Sequence, residues 1–254
     1  MRVRTFRSLL VVAIAALLAA ACGSDDDDAA DSSNTTVAEA PDLTSFCEAA
    51  ASAQSLASGP VGDELPEVFD DRAESVMQTL EDEAPDEVRD SIGTIVSMVR
   101  ANIAGAKPTD PSFTREPEFV AADHEADAFM LDNCDANGVE VSGQEHFFEG
   151  VPQTLPSGLT SFTLTNNGHH DHDLTVLRVN DDVDLTVAEL VQLGRGGGAN
   201  FTFAGQASAP AGGEPDTVFV NLEPGRYGVL CLVPDEDTGI PHVGLGMFNE
   251  LVVN

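Results

Sequence analysis

The chain has 254 residues and a formal net charge of −33, from 11 basic and 44 acidic side chains. Such an acidic protein is repelled by the phosphates of nucleic acids and by anionic membrane surfaces, so we expect neither to be a partner of its folded part. The length allows one or two domains.

The first 21 residues have the pattern of a targeting segment. Arginines precede an apolar stretch from Leu9 to Ala21, which is too short for a stable membrane-spanning helix. The stretch ends in Ala20-Ala21-Cys22-Gly23, which resembles the bacterial lipobox, where small residues precede a lipidated cysteine. The resemblance implies a lipoprotein signal peptide over residues 1–21 and a lipid on Cys22 that anchors the protein extracytoplasmically to the bacterial cell membrane. An ordinary secretory signal followed by an unrelated cysteine is the alternative.

Residues 22–40 contain four consecutive aspartates, Asp25 to Asp28, among Ser, Thr, Asn and Ala. A block of like charge without an apolar period predicts a disordered acidic linker and disfavours a cation site.

Apolar residues at helical spacing predict a small four-helix bundle over residues 41–135. Asp42 is a possible cap of the first helix, and Pro85 separates the second helix from the third. The many acidic side chains of this region are expected to be solvated, and nothing in it indicates catalysis. We expect the first helix to begin near Leu43. The other three should span about Leu65–Glu83, Val88–Val99 and Glu118–Cys134.

Besides Cys22, the sequence has three cysteines, so one is left unpaired in an oxidising compartment. The sequence alone allows three pairings. We predict a Cys47–Cys134 disulfide, because these cysteines lie at opposite ends of the helical region and Cys231 lies far away in a β region. Binding a metal as a thiolate would protect Cys231 from oxidation.

Short apolar runs separated by Gly, Pro and Asn predict a β-sandwich over residues 136–254. A short helix is expected over Leu185–Leu193, followed by a flexible loop over Gly194–Gly198. The candidate strands are Val139–Ser142, Leu159–Thr165, Asp173–Val179, Thr217–Leu222, Tyr227–Val233 and Phe248–Val253.

Four potential metal ligands lie at the ends of these strands. His172 begins one strand, Cys231 ends another, and His242 and Met247 precede the last. A thiolate, two imidazoles and a weak thioether are the ligands of a mononuclear type 1 copper site, so the set predicts one bound copper ion. His170 competes with His172 for the first ligand position.

The segment from about Glu140 to Val253 resembles the cupredoxin family, which includes plastocyanin and azurin. The resemblance lies in a histidine at the start of a strand, the motif Gly225-x-Tyr227-x-x-x-Cys231, a second histidine and Gly246-Met247. It implies an antiparallel Greek-key β-sandwich that serves electron transfer or copper handling with an unidentified redox partner. With the helical region, the chain is predicted to be an α+β two-domain protein that is not an enzyme.

Ten residues separate Cys231 from His242, whereas small electron carriers of the family have only a few there. We name this segment, residues 232–241, the insert. It could bulge away, loosen the site or cover the histidine edge that the family exposes. The other histidines of this region are expected on the surface: His146, His169 and His170.

Two other functions are weighed against a copper protein. The first is a metal-free cupredoxin-like lipoprotein with a binding or structural role. The second is a thiol enzyme that uses Cys231 as nucleophile and His242 as base. The sequence offers no third residue to orient that base, and the thiol enzyme would leave Met247 unexplained.

Overall fold

The computed structural model describes residues 42–57, 71–103 and 111–254. The predicted signal peptide, the lipidation site at Cys22 and the acidic linker lie outside these residues, as does the first part of the second predicted helix. Within the described residues, no helix combines the length and the apolar character needed to cross a membrane.

The helical part contains α1 (Thr44–Ala57), α2 (Asp71–Glu83), α3 (Arg89–Ile103) and α4 (Pro117–Asn133). A carboxylate oxygen of Asp42 accepts a hydrogen bond from the backbone nitrogen of Thr44 at 3.0 Å, which stabilises the start of α1. The apolar faces of the four helices pack into one buried core.

The disulfide between Cys47 and Cys134 is present, so the predicted pairing is confirmed. It joins the first turn of α1 to the residue that follows α4, with 5.9 Å between the two Cα atoms. Beside it, the rings of Phe46 and Phe129 pack edge to face at 5.9 Å. Among the described cysteines, Cys231 is free and buried.

The described residues also form a β-sandwich of two sheets. One sheet has the strand order β2-β1-β4-β7 and the other β3-β9-β8-β5-β6. A short helix, α5 (Val187–Gln192), lies between β5 and β6, and Thr186 and Glu189 form a capping box at its start. The strands are β1 (Asn137–Gly143), β2 (Phe148–Glu149), β3 (Thr154–Leu155), β4 (Gly158–Asn166), β5 (His172–Val179), β6 (Phe201–Ala209), β7 (Asp216–Leu222), β8 (Gly225–Leu230) and β9 (Phe248–Val253).

Two strand pairs contradict the predicted antiparallel arrangement, because β1 runs parallel to β4 and β3 runs parallel to β9. Between β1 and β4 the chain enters the other sheet through β3 and then returns, so β4 begins at the same end as β1. The strand β6, which pairs with β5, was not predicted from the sequence. The Greek-key arrangement stays a prediction.

The helices pack directly on the sandwich, and the segment Pro41–Asn254 forms one compact unit. The side-chain oxygen of Gln54 on α1 accepts a hydrogen bond from the backbone nitrogen of Phe219 on β7 at 2.7 Å. The side-chain nitrogen of Gln54 donates to Asp127 on α4 at 2.6 Å. Asp127 is buried here, so the expectation of solvated acidic helix faces is wrong at this residue. The division into two domains stays a prediction.

Candidate metal centre

Three side chains converge at one end of the sandwich: His172, Cys231 and His242. The Nδ1 atoms of the two histidines are 3.2 Å apart. The sulfur of Cys231 is 3.4 Å from Nδ1 of His242 and 3.8 Å from Nδ1 of His172. All three side chains are almost completely buried, with at most 1% of each residue exposed.

The main chain brings these residues together. Cys231 directly follows β8, which pairs with β5, and β5 begins at His172. The insert begins and ends next to Cys231. The backbone nitrogen of His242 donates to the carbonyl of Val233 at 2.9 Å. The nitrogen of Val243 donates to the carbonyl of Cys231 at 2.8 Å. The insert therefore folds as a closed loop that returns His242 to the sulfur.

Met247 lies in the same buried core as Cys231 and is fully inaccessible to solvent. Its backbone nitrogen donates to the carbonyl of His242 at 3.0 Å, and its carbonyl accepts from the nitrogen of Cys231 at 3.1 Å. Main-chain hydrogen bonds therefore tie the predicted fourth ligand to two of the other three.

The surroundings keep the three donor groups neutral when no metal is bound. Burial, followed by the nearby carboxylate of Asp173, raises the pKa of the Cys231 thiol to about 12. Burial, followed by the ring of His242, lowers the pKa of His172 to about 4. A buried thiol with a raised pKa is a poor nucleophile, which disfavours the thiol-enzyme alternative.

The distances among the three donor atoms fit a single metal ion. An ion about 2.0 Å from imidazole nitrogens and about 2.3 Å from a thiolate sulfur separates these atoms by about 3 to 4 Å. The observed separations of 3.2, 3.4 and 3.8 Å fall in this range. Two imidazoles, one thiolate and a buried thioether form the donor set of a type 1 copper centre.

Sequence reasoning missed three residues that hold this arrangement. The backbone nitrogen of Asp173 donates to the sulfur of Cys231 at 3.4 Å. Asn166 donates to the carbonyl of His170 at 2.8 Å, which holds the loop before β5. Gly168 leaves room for the ring of His172, since a Cβ atom there would lie 2.6 Å from Nε2 of that ring. The motif around Gly168 was visible in the sequence, but the role of Asp173 depends on strand pairing.

Two of the other histidines of the β region are placed differently from the prediction. His169 is exposed as expected, but His146 and His170 are only partly exposed and pack around His242. His172, and not His170, lies beside Cys231. Asp235 of the insert is buried against His146 and His170, so the insert covers His242 and does not bulge away.

Comparison with known proteins gives structural similarity alone. No protein-family model matches the chain, and no curated protein matches it. Among solved structures, the chain is similar to a dithionite-reduced auracyanin from Roseiflexus castenholzii, with 18% identity over 47% of this chain and 98% of that one and a TM-score of 0.35. It is also similar to auracyanin A, a "blue" copper protein from Chloroflexus aurantiacus, with 21% identity over 46% of this chain and 98% of that one and a TM-score of 0.29.

A third similar structure is reduced rusticyanin, with 17% identity over 47% of this chain, 81% of that one and a TM-score of 0.29. These similarities concern the fold of just under half of this chain. Each of these three TM-scores is below 0.5, so the similarity carries no conclusion about the function of this chain.

Proposed function

We propose that the protein binds one copper ion through His172, Cys231, His242 and Met247, and that it transfers electrons or handles copper outside the cytoplasm. The observation that carries this proposal is the convergence of one sulfur and two Nδ1 atoms within 3.8 Å of one another in the buried interior. In the alternative, a metal-free sandwich, a thiol and two imidazoles would be buried together with no metal ion to bind.

Bound copper would supply a one-electron couple between Cu(II) and Cu(I). The residues of the chain would hold the ligands in one arrangement and keep water away. The thiolate and the thioether suit Cu(I), and the imidazoles serve both oxidation states. The hydrogen bond from Asp173 to the sulfur, and the buried surroundings, would tune the affinity and the potential.

The test is a Cu(II) titration of the full-length protein purified in detergent. We expect one equivalent to bind with an intense thiolate-to-copper band in the visible spectrum. Cys231→Ser should lose the band, and His242→Ala should lose the increase in thermal stability that copper gives the wild type. If no band forms and Cys231→Ser binds copper as tightly as the wild type, the proposal is wrong.

Electron transfer and copper handling differ in what the loaded protein does. An electron carrier keeps its copper through repeated oxidation and reduction, whereas a copper-handling protein gives its copper to a competing Cu(I) chelator. Cyclic voltammetry and chelator competition on the same copper-loaded sample separate the two. A purified exported protein that carries no copper would favour the metal-free lipoprotein instead.

We propose that a lipid on Cys22 holds the protein at the outer face of the cell membrane. The sequence around Cys22 supports this, and the Cys47–Cys134 disulfide is typical of an oxidising compartment. The test is mass spectrometry of the mature N-terminus together with fractionation of Cys22→Ala. We expect a lipid-modified Cys22, and Cys22→Ala should leave the membrane fraction; an unmodified wild-type N-terminus would refute lipidation.

A further inference from the structure

A second group of potential metal ligands lies on the other side of His242. We name it the outer cluster; it consists of His146, His170, Asp235 and His242. One ligand atom from each of these residues lies within 4.8 Å of the others. The cluster has no sulfur, and only His242 is shared with the candidate copper ligands.

Three separate segments supply the outer cluster. His146 lies between β1 and β2, His170 lies between β4 and β5, and Asp235 belongs to the insert. One carboxylate oxygen of Asp235 accepts hydrogen bonds from the backbone nitrogen and the hydroxyl of Thr238, at 2.8 and 2.6 Å. This holds the other oxygen 3.5 Å from Nε2 of His146 and 3.6 Å from Nδ1 of His170.

One ring nitrogen of each histidine in this cluster is buried and makes no hydrogen bond. Nδ1 of His242 faces Cys231 and His172, so Nε2 is the nitrogen left for the outer side, and it has no partner. Nε2 of His146 and Nδ1 of His170 are also buried without a hydrogen bond. Buried polar groups are normally paired, so three such atoms around one carboxylate point to a place where a cation can bind.

One contact competes with this interpretation. A carboxylate oxygen of Glu145 lies 3.0 Å from Nδ1 of His170, although the geometry does not make it a hydrogen bond. Ion pairs of protonated histidines with Glu145 and Asp235 could anchor the insert without any metal. Such an anchor would not explain the fully buried Nε2 of His242, which no carboxylate contact satisfies.

We propose that the outer cluster is a second metal site, for a divalent cation such as Zn²⁺. Three imidazole nitrogens and one carboxylate suit Zn²⁺ or Cu²⁺, whereas the inner thiolate and thioether suit Cu(I). With both sites loaded, His242 would bind one ion through each ring nitrogen and release its ring proton to water. The outer site does not require copper in the inner one.

The test loads the full-length protein with one equivalent of Cu(I) and then titrates it with Zn²⁺ in a calorimeter. We expect one Zn²⁺ per chain, with binding at least about tenfold weaker in His146→Ala and Asp235→Asn. His169→Ala is the matched control, because His169 is exposed, lies on the same loop as His170 and stands outside the cluster. It should bind Zn²⁺ like the wild type.

Absence of Zn²⁺ binding to the copper-loaded wild type would overturn the proposal. Binding by both cluster variants as tight as that by His169→Ala would do the same. Asp235→Asn keeps the oxygen that accepts from Thr238, so it preserves the turn if His146→Ala fails to fold.

A separate experiment keeps this proposal distinct from the copper proposal. Cys231→Ser removes the inner thiolate and leaves the outer cluster intact. We expect it to bind one Co²⁺ with d–d bands and without a sulfur charge-transfer band, and to lose this binding when Asp235→Asn is added. That result would support the outer site even if copper never gave a thiolate band. If Cys231→Ser binds no Co²⁺, the outer site is wrong, whatever the inner site does.

Discussion

The backbone nitrogen of Asp173 donates a hydrogen bond to the sulfur of Cys231 at 3.4 Å. The carboxylate of the same residue accepts hydrogen bonds from the backbone nitrogen of Leu232 at 2.7 Å and from the side chain of Gln206 at 3.0 Å. One residue of β5 thus contacts the candidate ligand and also the first residue of the insert. It connects the β5–β8 pairing to the position of the sulfur.

Asp173→Ala should destabilise the protein and disturb the copper site together. The substitution leaves the nitrogens of Leu232 and Gln206 without acceptors, which costs about 2 to 4 kcal/mol of unfolding free energy. We expect a lower urea midpoint for the metal-free protein and a shifted or weakened thiolate-to-copper band. Asp173→Asn should recover much of both, because its carbonyl oxygen can still accept from Leu232.

Asp171→Ala is the control for this prediction. Asp171 also accepts a hydrogen bond from a backbone nitrogen, that of Ala211 at 2.8 Å, but it is exposed, so water can replace the lost carboxylate. The expected cost is below about 1 kcal/mol. Equal urea midpoints for the two alanine variants would contradict a positioning role of Asp173.

The sequence was most informative where local patterns determine structure. Helical spacing of apolar residues predicted the helices α1 to α4 of the described residues, and the residue types at strand ends pointed to three side chains that the structure brings together, His172, Cys231 and His242. It failed at β6, where the run from Phe201 to Ala209 is rich in small residues and has few of the large apolar ones that mark a strand.

It also failed where burial depends on distant segments. His146 and His170 are partly buried because the insert folds back on them, and the Thr238 turn directs Asp235 inward. The position of such contacts depends on tertiary packing, which residue spacing does not encode. The burial of Asp127 has the same origin, since Gln54 on α1 contacts it and the carboxylate of Asp216 on β7 is close enough to raise its pKa.

Removing the Cys47–Cys134 disulfide should destabilise the protein by at most about 4 to 5 kcal/mol. The bridge spans 87 positions of the chain, so its loss frees a long loop in the unfolded state. The double variant Cys47→Ala/Cys134→Ala avoids leaving a free thiol. Urea unfolding of the double variant, compared with the wild type under oxidising conditions, measures the change.

Reduction of the wild type with dithiothreitol provides the control, because it should reproduce the lower midpoint of the double variant and leave that variant unaffected. A double variant that unfolds at the wild-type midpoint would show that the bridge contributes no stability.

Asp127→Asn should stabilise the protein at alkaline pH. Burial, followed by the carboxylate of Asp123, raises the pKa of Asp127 well above its usual range, and burial, followed by Asp216, raises that of Asp123 to about 7. A raised carboxyl pKa gives stability that is complete below about pH 4 and is lost as the pH rises through the folded-state value. Asparagine has no carboxyl group, so it avoids the cost of keeping that group buried at pH 8, and the unfolding free energy there should rise by roughly 1 to 3 kcal/mol.

Urea unfolding at pH 5 and pH 8 measures this effect as a difference from the wild type, which cancels the contributions of titrating groups that are not coupled to Asp127; the neighbouring Asp123 is part of the effect. The side-chain oxygen of the introduced asparagine can still accept the hydrogen bond from Gln54, so packing is preserved. His124, which lies 3.9 Å from Asp216, is unchanged in both proteins. Asp132→Asn, an exposed change on the same helix, should leave the pH dependence as it is; a similar shift in both variants would contradict the role of burial.

Gly168→Ala should weaken copper binding while the fold is retained. The added methyl group would lie 2.6 Å from Nε2 of His172, closer than side-chain atoms approach one another, so the ring must move. The ring also lies close to Gly143, where a Cβ atom would be 3.3 Å from Cδ2, and this leaves little room for a small adjustment. We expect copper affinity to fall by about tenfold or more.

Gly198→Ala is the matched control for this prediction, because its added Cβ atom would meet nothing within 4 Å. Both variants should keep the wild-type far-ultraviolet circular dichroism, and Gly198→Ala should keep wild-type copper affinity. The methyl group at position 168 reaches His172 and no other candidate ligand, so its effect reports on that ligand alone. If Gly168→Ala folded and bound copper like Gly198→Ala, with the same visible band, His172 would not be the ligand that its position beside Cys231 indicates.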